Sequence, residues 1–235
     1  MSSEQSPEVL EPSALGNKDY WDRAYVNELH NFESNPEDEG TIWFADSDAE
    51  DKILAFLTEE EALPPSTSFL DLGTGNGHLL FLLRDEGDFD GGRLVGVDYS
   101  AESVRLARSI AKERGLGDED VRFERWDIIK EQPGDWVEDG FDVVLDKGTF
   151  DAISLSEEAD ATGERIFKGF PGRVQGLVKP GGLLLITSCN WTEAELRGWF
   201  EGGELEYHAT IKYPSFTFGG QQGQTISSVC FHRKC

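Results

Sequence analysis

From residue 68 onward, short apolar runs alternate with longer amphipathic stretches. Phe69–Leu72, Leu94–Val97, Phe141–Leu145 and Leu183–Ser188 are mostly apolar segments of strand length, and Val121–Trp126 is expected as a further strand between them. Mostly apolar runs of this kind mark strands covered on both faces. Between them lie helix patterns. Leu79–Leu83 follows a glycine turn, and Ala101–Arg114 carries Val104, Leu106, Ala107 and Ile110 inward, with Ser100 as cap and Gly115 as stop. A helix is predicted over about Ala161–Val178, interrupted at Pro171-Gly172, followed by a tight turn at Lys179-Pro180-Gly181-Gly182. Trp191 or Thr192 opens a short helix to Phe200. Leu205–Tyr213 and Thr225–Phe231 have no helix-length spacer, only the Gly-rich Phe216–Gly223 stretch, so they are expected to pair antiparallel. The pattern predicts an α/β fold with a seven-stranded, mostly parallel sheet, helices on both faces and a C-terminal antiparallel hairpin.

Upstream the pattern is helical. Tyr20, Trp21, Ala24, Tyr25, Leu29 and Phe32 recur at helical spacing from Lys18. A loop at Asn35–Thr41 and an aromatic patch, Thr41–Phe44, lead to a second helix. Asp46 or Ser47 caps it, it runs to about Glu61, and Pro64-Pro65 ends it. Residues 1–16 are rich in Ser, Glu and Pro and are expected to be a disordered acidic tail. Residues 17–235 then form a single domain, of which about 17–62 is a helical lid. The aromatic residues of that lid can pack as core or fold over a ligand.

A length of 235 residues suits one sizeable domain. Charge narrows the partners. The formal net charge is −25, with 17 acidic against 3 basic residues in 1–67. Nucleic acids and anionic membranes are attracted chiefly by cations, so neither is expected. A basic protein would be drawn in. Cys189, Cys230 and Cys235 make neither a disulfide framework nor a metal pattern, His30, His78, His208 and His232 are scattered, and no metal is expected. No leader or membrane-length apolar run stands out, so a soluble, cytoplasmic protein, expected to be monomeric, fits.

The candidate chemistry lies at the ends of the strands, where ligands of open α/β sheets bind. The first strand runs into Gly73-Thr74-Gly75-Asn76-Gly77, and the next three end at Asp98, Asp127 and Asp146. Asp98 stands where an acid can hold ribose hydroxyls, and Asp127 where one can meet an adenine amino group. Each acid alone can equally be a helix cap. The glycines are spaced G-x-G-x-G, not G-x-G-x-x-G, and Asp71 precedes them. A carboxylate there repels a pyrophosphate but suits an ammonium, which favours S-adenosylmethionine over a dinucleotide.

Leu70-Asp71-Leu72-Gly73-Thr74-Gly75-Asn76-Gly77 with Val97-Asp98-Tyr99-Ser100 resembles a class I methyltransferase with a Rossmann-like sheet. Asp146–Leu155, Ile186–Thr192, Phe216–Gly220, Tyr20-Trp21-Asp22 and Ile42-Trp43-Phe44 narrow this. They are similar to the methyltransferase-like protein 10 group, which includes fungal elongation factor 1-alpha lysine methyltransferases. The resemblance implies S-adenosylmethionine-dependent methylation of a lysine in a basic protein, with elongation factor 1-alpha as the expected target. It implies cofactor contacts from Trp21, Trp43, Asp71, Gly73, Thr74, Gly75, Asp98, Tyr99, Asp127 and Ile128. Asp146 is expected to orient the incoming amine, with Phe150, Trp191, Phe216 and Phe218 walling the lysine channel. Lys147 is expected to pair with Asp151 or Asp146. The acidic, Gly-rich insert at Asp85–Gly92 departs from the group. A small-molecule methyltransferase and a non-catalytic scaffold for translation or ribosome factors remain the alternatives.

Overall fold

The computed structural model describes residues 9–218 and 221–235; of residues 215–224 only the backbone is described. Nine strands and seven α-helices are formed among the described residues. They are α1 (Lys18–Ser34), α2 (Ala49–Ala55), β1 (Phe69–Leu72), α3 (His78–Asp85), β2 (Leu94–Asp98), α4 (Ala101–Glu113), β3 (Arg122–Arg125) and β4 (Phe141–Lys147). There follow α5 (Thr149–Ser154), α6 (Phe170–Gln175), β5 (Val178–Ser188), α7 (Glu193–Phe200), β6 (Leu205–Ile211), β7 (Ser215–Phe218), β8 (Gln221–Gln224) and β9 (Ser227–Arg233).

Seven strands make the main sheet in the order β3-β2-β1-β4-β5-β9-β6. β3 to β5 pair in parallel, and β9 is antiparallel to both β5 and β6. The chain therefore returns from β6 through the small β7–β8 hairpin and inserts its last strand between β5 and β6. No helix among the described residues is long and apolar enough to cross a membrane.

Successive residues of each central strand serve opposite faces, because strand side chains alternate. Phe69, Val143, Leu145 and Leu185 face a core built with Tyr25, Leu29, Phe32, Ile53, Leu80, Phe81 and Ile110, from α1 to α4. Leu70, Leu72, Val144, Leu184 and Ile186 face the other core, with Phe150, Phe167, Phe170, Trp191 and Phe200 from α5 to α7 and their connections. This parity places Lys147 on the α1–α4 side and Asp146 on the α5 side of β4.

Three local expectations change. The long helix over Ala161–Val178 is instead a 3-10 turn, Ile166–Gly169, and the short α6. Pro171 stands in the first turn of α6, where its missing N–H costs nothing, so it starts a helix and does not kink one. The Lys179–Gly182 turn is absorbed as an irregularity inside β5, whose pairing with β4 jumps from Val178 to Leu183. Asp48, not Asp46 or Ser47, occupies the cap position of α2, and it makes no side-chain cap bond.

The boundary near residue 17 also moves. Ser13 N–H donates to the Leu155 carbonyl at 3.1 Å, Ala14–Gly16 form a 3-10 turn, and Arg165 donates to the Leu10 carbonyl at 2.5 Å. Residues 10–16 are thus pinned to the domain. Residues 1–8 lie outside the described residues.

Candidate active site

The first strand dictates the loop that follows it. β1 is fully buried, and its chain must turn away at once into α3. Gly73 makes that turn at φ +65°, with its Cα so near α5 that an added Cβ would lie 2.0 Å from Thr149 Oγ1. That hydroxyl donates to the Leu72 carbonyl at 2.6 Å, tying α5 to the strand end. Gly75, at φ +59°, leaves room for the Tyr25 hydroxyl, which an added Cβ would meet at 2.8 Å. The glycines therefore serve two close approaches, one from α5 and one from α1.

A cavity opens in front of this turn, beyond the carboxyl ends of β1 to β5. One end is walled by Val97, Asp98, Tyr99, Trp126, Asp127, Ile128 and Ile129, and the other by Gly148, Asp151, Ala152, Cys189 and Asn190. Leu15, Trp21, Tyr25, Trp43 and Phe44 cover it. The cover is an aromatic stack. Trp21 lies 6.2 Å from Tyr25 and 5.3 Å from Trp43, and its indole N–H donates to the Leu15 carbonyl at 2.7 Å. Trp43 is 39% exposed, so the stack reaches from the interior to the surface.

Asp98 is buried, and its carboxylate accepts the Gly75 N–H at 3.2 Å and the Ser100 N–H at 2.8 Å. Burial pushes it up to about 6, against those hydrogen bonds and the nearby Lys18. Asp127 accepts the Ile129 and Lys130 N–H groups at 3.0 and 3.1 Å. Lys18 lies over the Tyr99 ring at 5.1 Å and pairs with Asp22, while Lys130 pairs with Glu158. The cations near this end are thus already neutralised. Two backbone-held acids, apolar walls and the unpartnered, buried Trp126 indole N–H suit a ligand with hydroxyls and an amino-bearing base. They do not suit a pyrophosphate.

Of the expected cofactor contacts, Trp21, Trp43, Gly73, Asp98, Tyr99, Asp127 and Ile128 line the cavity. Asp71, Thr74 and Gly75 stand behind Gly73 and are not part of the wall. Asp71 is buried, and desolvation pushes it up to about 7 despite the Lys147 ammonium nearby.

The expected amine and channel residues need more correction. Asp146 is buried on the α5 side of β4 and caps α5. Its carboxylate accepts the Thr149 N–H at 2.9 Å and the Phe150 N–H at 3.0 Å, and it does not reach the cavity wall. Phe150 is 0% exposed and stacks on Phe170 and Trp191 at centroid distances of 5.5 and 5.8 Å. Trp191, 2% exposed, belongs to the same core and donates its indole N–H to Ser154 Oγ at 3.2 Å. Both rings lie on the sheet face that packs α5 to α7, so neither walls a channel. The side chains of Phe216 and Phe218 lie outside the described residues. Lys147 pairs with neither Asp146 nor Asp151. It donates to the Trp43 carbonyl at 3.2 Å and lies 3.4 Å from Glu50, which holds His78 at 2.5 Å. β4 parity explains this, since Lys147 and Asp146 point to opposite faces.

The structure adds residues that were not singled out: Asp151, Cys189, Asn190, Trp126 and Phe44 all line the cavity. Asn190 and Cys189 adjoin Trp191 at the end of β5, so the strand-end rule applied to the fifth strand would have found them.

Comparison with known proteins agrees with this geometry. A family model described as a methyltransferase domain matches residues 63–227. The chain is 47% identical over 225 residues to the protein-lysine N-methyltransferase EFM4 of Saccharomyces cerevisiae, covering 94% of this chain and 96% of that one. It belongs to this family of protein-lysine methyltransferases. The EEF1A lysine methyltransferase 2 of Homo sapiens is 34% identical over 222 residues, 94% of this chain and 88% of that one. Among solved structures the [4+2]-cyclase SpnF has the same fold, with a TM-score of 0.66 at 16% identity over 98% of this chain and 99% of that one. The cofactor of the methyltransferase is S-adenosylmethionine. It supplies a methyl group on a positively charged sulfur, which a neutral amine can take in one displacement.

Proposed function

We propose that this methyltransferase modifies a lysine of translation elongation factor 1-alpha, acting as a monomer in the cytoplasm. The observation that carries this is the extent of the likeness. Relatives from yeast and human, one named for elongation factor methylation, match over nearly the whole chain. The site supports it chemically. Asp98, Tyr99, Asp127 and Ile128 would hold the nucleoside part of the cofactor, and Trp21, Tyr25 and Trp43 would close over its methionine part. Lysine is almost fully protonated at neutral pH, with a pKa of about 10.4, so a protein enzyme must lead it into an apolar passage and relieve it of a proton. Phe44, Ala152, Ile153 and Leu155 offer such a passage near Asn190. The strongly acidic surface draws a basic protein toward it.

Incubation with labelled S-adenosylmethionine and lysate from cells lacking the enzyme tests this. One labelled band at the mass of elongation factor 1-alpha is expected. Label confined to small molecules would refute it.

A further inference from the structure

Buried charges are ordinarily paired with a counter-charge, because taking an ion out of water is costly. Five buried carboxylates around the cavity can be judged on this basis. Asp98 has Lys18 nearby, Asp71 has Lys147, Asp127 is held by the Ile129 and Lys130 N–H groups at the nucleoside end, and Asp146 is satisfied by backbone N–H groups away from the cavity. Asp151 differs. It is 5% exposed, lines the cavity at the end away from the nucleoside side, and takes part in no ion pair among the described residues.

Its hydrogen bonds come from β5. Ser188 Oγ donates to Oδ1, and the Cys189 N–H donates to Oδ2 at 2.8 Å. Each oxygen of a carboxylate has two acceptor sites; the Cys189 thiol and the Asn190 N–H also bear on this carboxylate, and the thiol, a weak donor, is the one a substrate ammonium can displace. An asparagine has one acceptor oxygen, so it would keep one of these two bonds and turn its NH2 toward the other donor. Asn190 also lines this end of the cavity and is exposed to it, and its own N–H is held by Ser188 Oγ at 3.1 Å. Ser188 thus sets both candidates with one hydroxyl.

We propose that Asp151, assisted by the Asn190 side-chain carbonyl, receives the ε-ammonium of the substrate lysine and takes one of its protons. This rests on the lysine methylation proposed above and names the groups that carry it out. The proton moves from lysine Nζ to an Asp151 oxygen. The freed nitrogen lone pair then forms the N–C bond to the methyl carbon, the C–S bonding pair stays on sulfur, and the proton on Asp151 leaves to water.

Burial raises the Asp151 carboxyl above its ordinary range, which makes it a better proton acceptor than an exposed aspartate. Asp146 and the Cys189 thiol are the titratable groups that face it, and the thiol hydrogen-bonds the carboxylate. Asp146, on β4, is itself pushed upward by burial, and the Cys189 thiol, on the β5 side, is pushed up to about 12 by burial, Asp151 and the more distant Asp46.

The test uses the full chain, full-length elongation factor 1-alpha and S-adenosylhomocysteine as the binding probe. Asp151→Asn and Asn190→Ala are compared with the parent by calorimetric titration and by initial rates from about pH 7 to about pH 9.5, below the lysine pKa of about 10.4. S-adenosylhomocysteine affinity should stay within about twofold in both, while kcat/KM for the protein falls about 10- to 100-fold in Asp151→Asn, the range of a charge-assisted hydrogen bond. The parent profile should be nearly flat. That of Asp151→Asn should climb about tenfold per pH unit, because the amine must now lose its proton in solution.

A large loss of S-adenosylhomocysteine affinity would show that Asp151 holds the cofactor's ammonium, and would overturn the proposal. Equal rates and an unshifted profile in Asp151→Asn would do so too. If that variant fails to fold, Asn190→Ala decides, since its side chain is exposed: unchanged kcat/KM there refutes the assignment. A parent enzyme that leaves elongation factor 1-alpha unlabelled sinks the substrate assignment first, and this one with it.

Discussion

Removing the Phe150 ring should cost stability and leave the cofactor site intact. The ring has no exposed surface and meets five others, with centroids at 4.9 Å for Phe200, 5.5 Å for Phe170, 5.8 Å for Trp191, 6.1 Å for Trp199 and 6.2 Å for Phe167. A buried phenylalanine truncated to alanine costs about 3–5 kcal/mol. Aromatic pairs add about 0.5–1.5 kcal/mol each beyond area, so the upper half of that range applies. For a chain of this size each kcal/mol moves the melting temperature by about 2–4 °C, so Phe150→Ala should melt about 8–20 °C lower. Phe150→Leu keeps most of the volume and should lose roughly a third of that. Thermal melts measure the stability, and S-adenosylhomocysteine titration well below the melting point measures the site. Affinity within about twofold is expected, since the ring is not part of the cavity wall. The reasoning fails if Phe150→Leu melts with the parent yet raises KM for the protein substrate severalfold, as a channel wall would.

Gly73→Ala should be destabilised by more than 1 kcal/mol, from left-handed strain and the clash with Thr149 Oγ1, on the order of the cost of a strained residue. Adding Thr149→Ala should recover part of it, a non-additivity that denaturant titration of the double mutant would show. Lys147→Met should cost about 3 kcal/mol by leaving Glu50 buried without its cation, and Glu50→Gln in the same chain should restore part of that. The ligand-free protein should become more stable as pH falls from about 7 toward about 5. Asp71 at about 7 and Asp98 at about 6 lie above the unfolded value of about 3.9, so the folded state binds more protons and each group contributes up to about 1.4 kcal/mol per pH unit. The carboxylates held low, Glu50, Asp120, Glu131, Asp142 and Asp160, act only below that window. Asp71→Asn should flatten the slope in thermal melts, and an unchanged slope would show that this carboxyl is not raised.

The sheet and its order of elements were legible because the central strands, buried on both faces, read as mostly apolar runs and helices as spaced ones. The glycine turn and Asp98 were legible for a similar reason: a close approach and a strand-end acid each leave a mark in one short stretch. What escaped was the direction of side chains at strand ends. Asp146 and Lys147 are neighbours in sequence, yet β4 sends one to cap α5 and the other to Glu50. Trp191 and Asn190 divide in the same way, one into core and one into the cavity. An aromatic residue carries no sign of which face it serves until the pairing register is known. In the sequence Asp151 reads as a partner for Lys147, and only the fold brings Ser188 and Cys189 against it.

The central claim is methyl transfer to lysine in a protein. Purified chain, purified elongation factor 1-alpha and S-adenosylmethionine, followed by mass spectrometry of peptides, test it most directly. The account predicts added methyl groups on a lysine side chain, lost when Asp98 is changed to Ala. Turnover of S-adenosylmethionine with the elongation factor unmodified, or lysine methylation that survives Asp98→Ala undiminished, would contradict it.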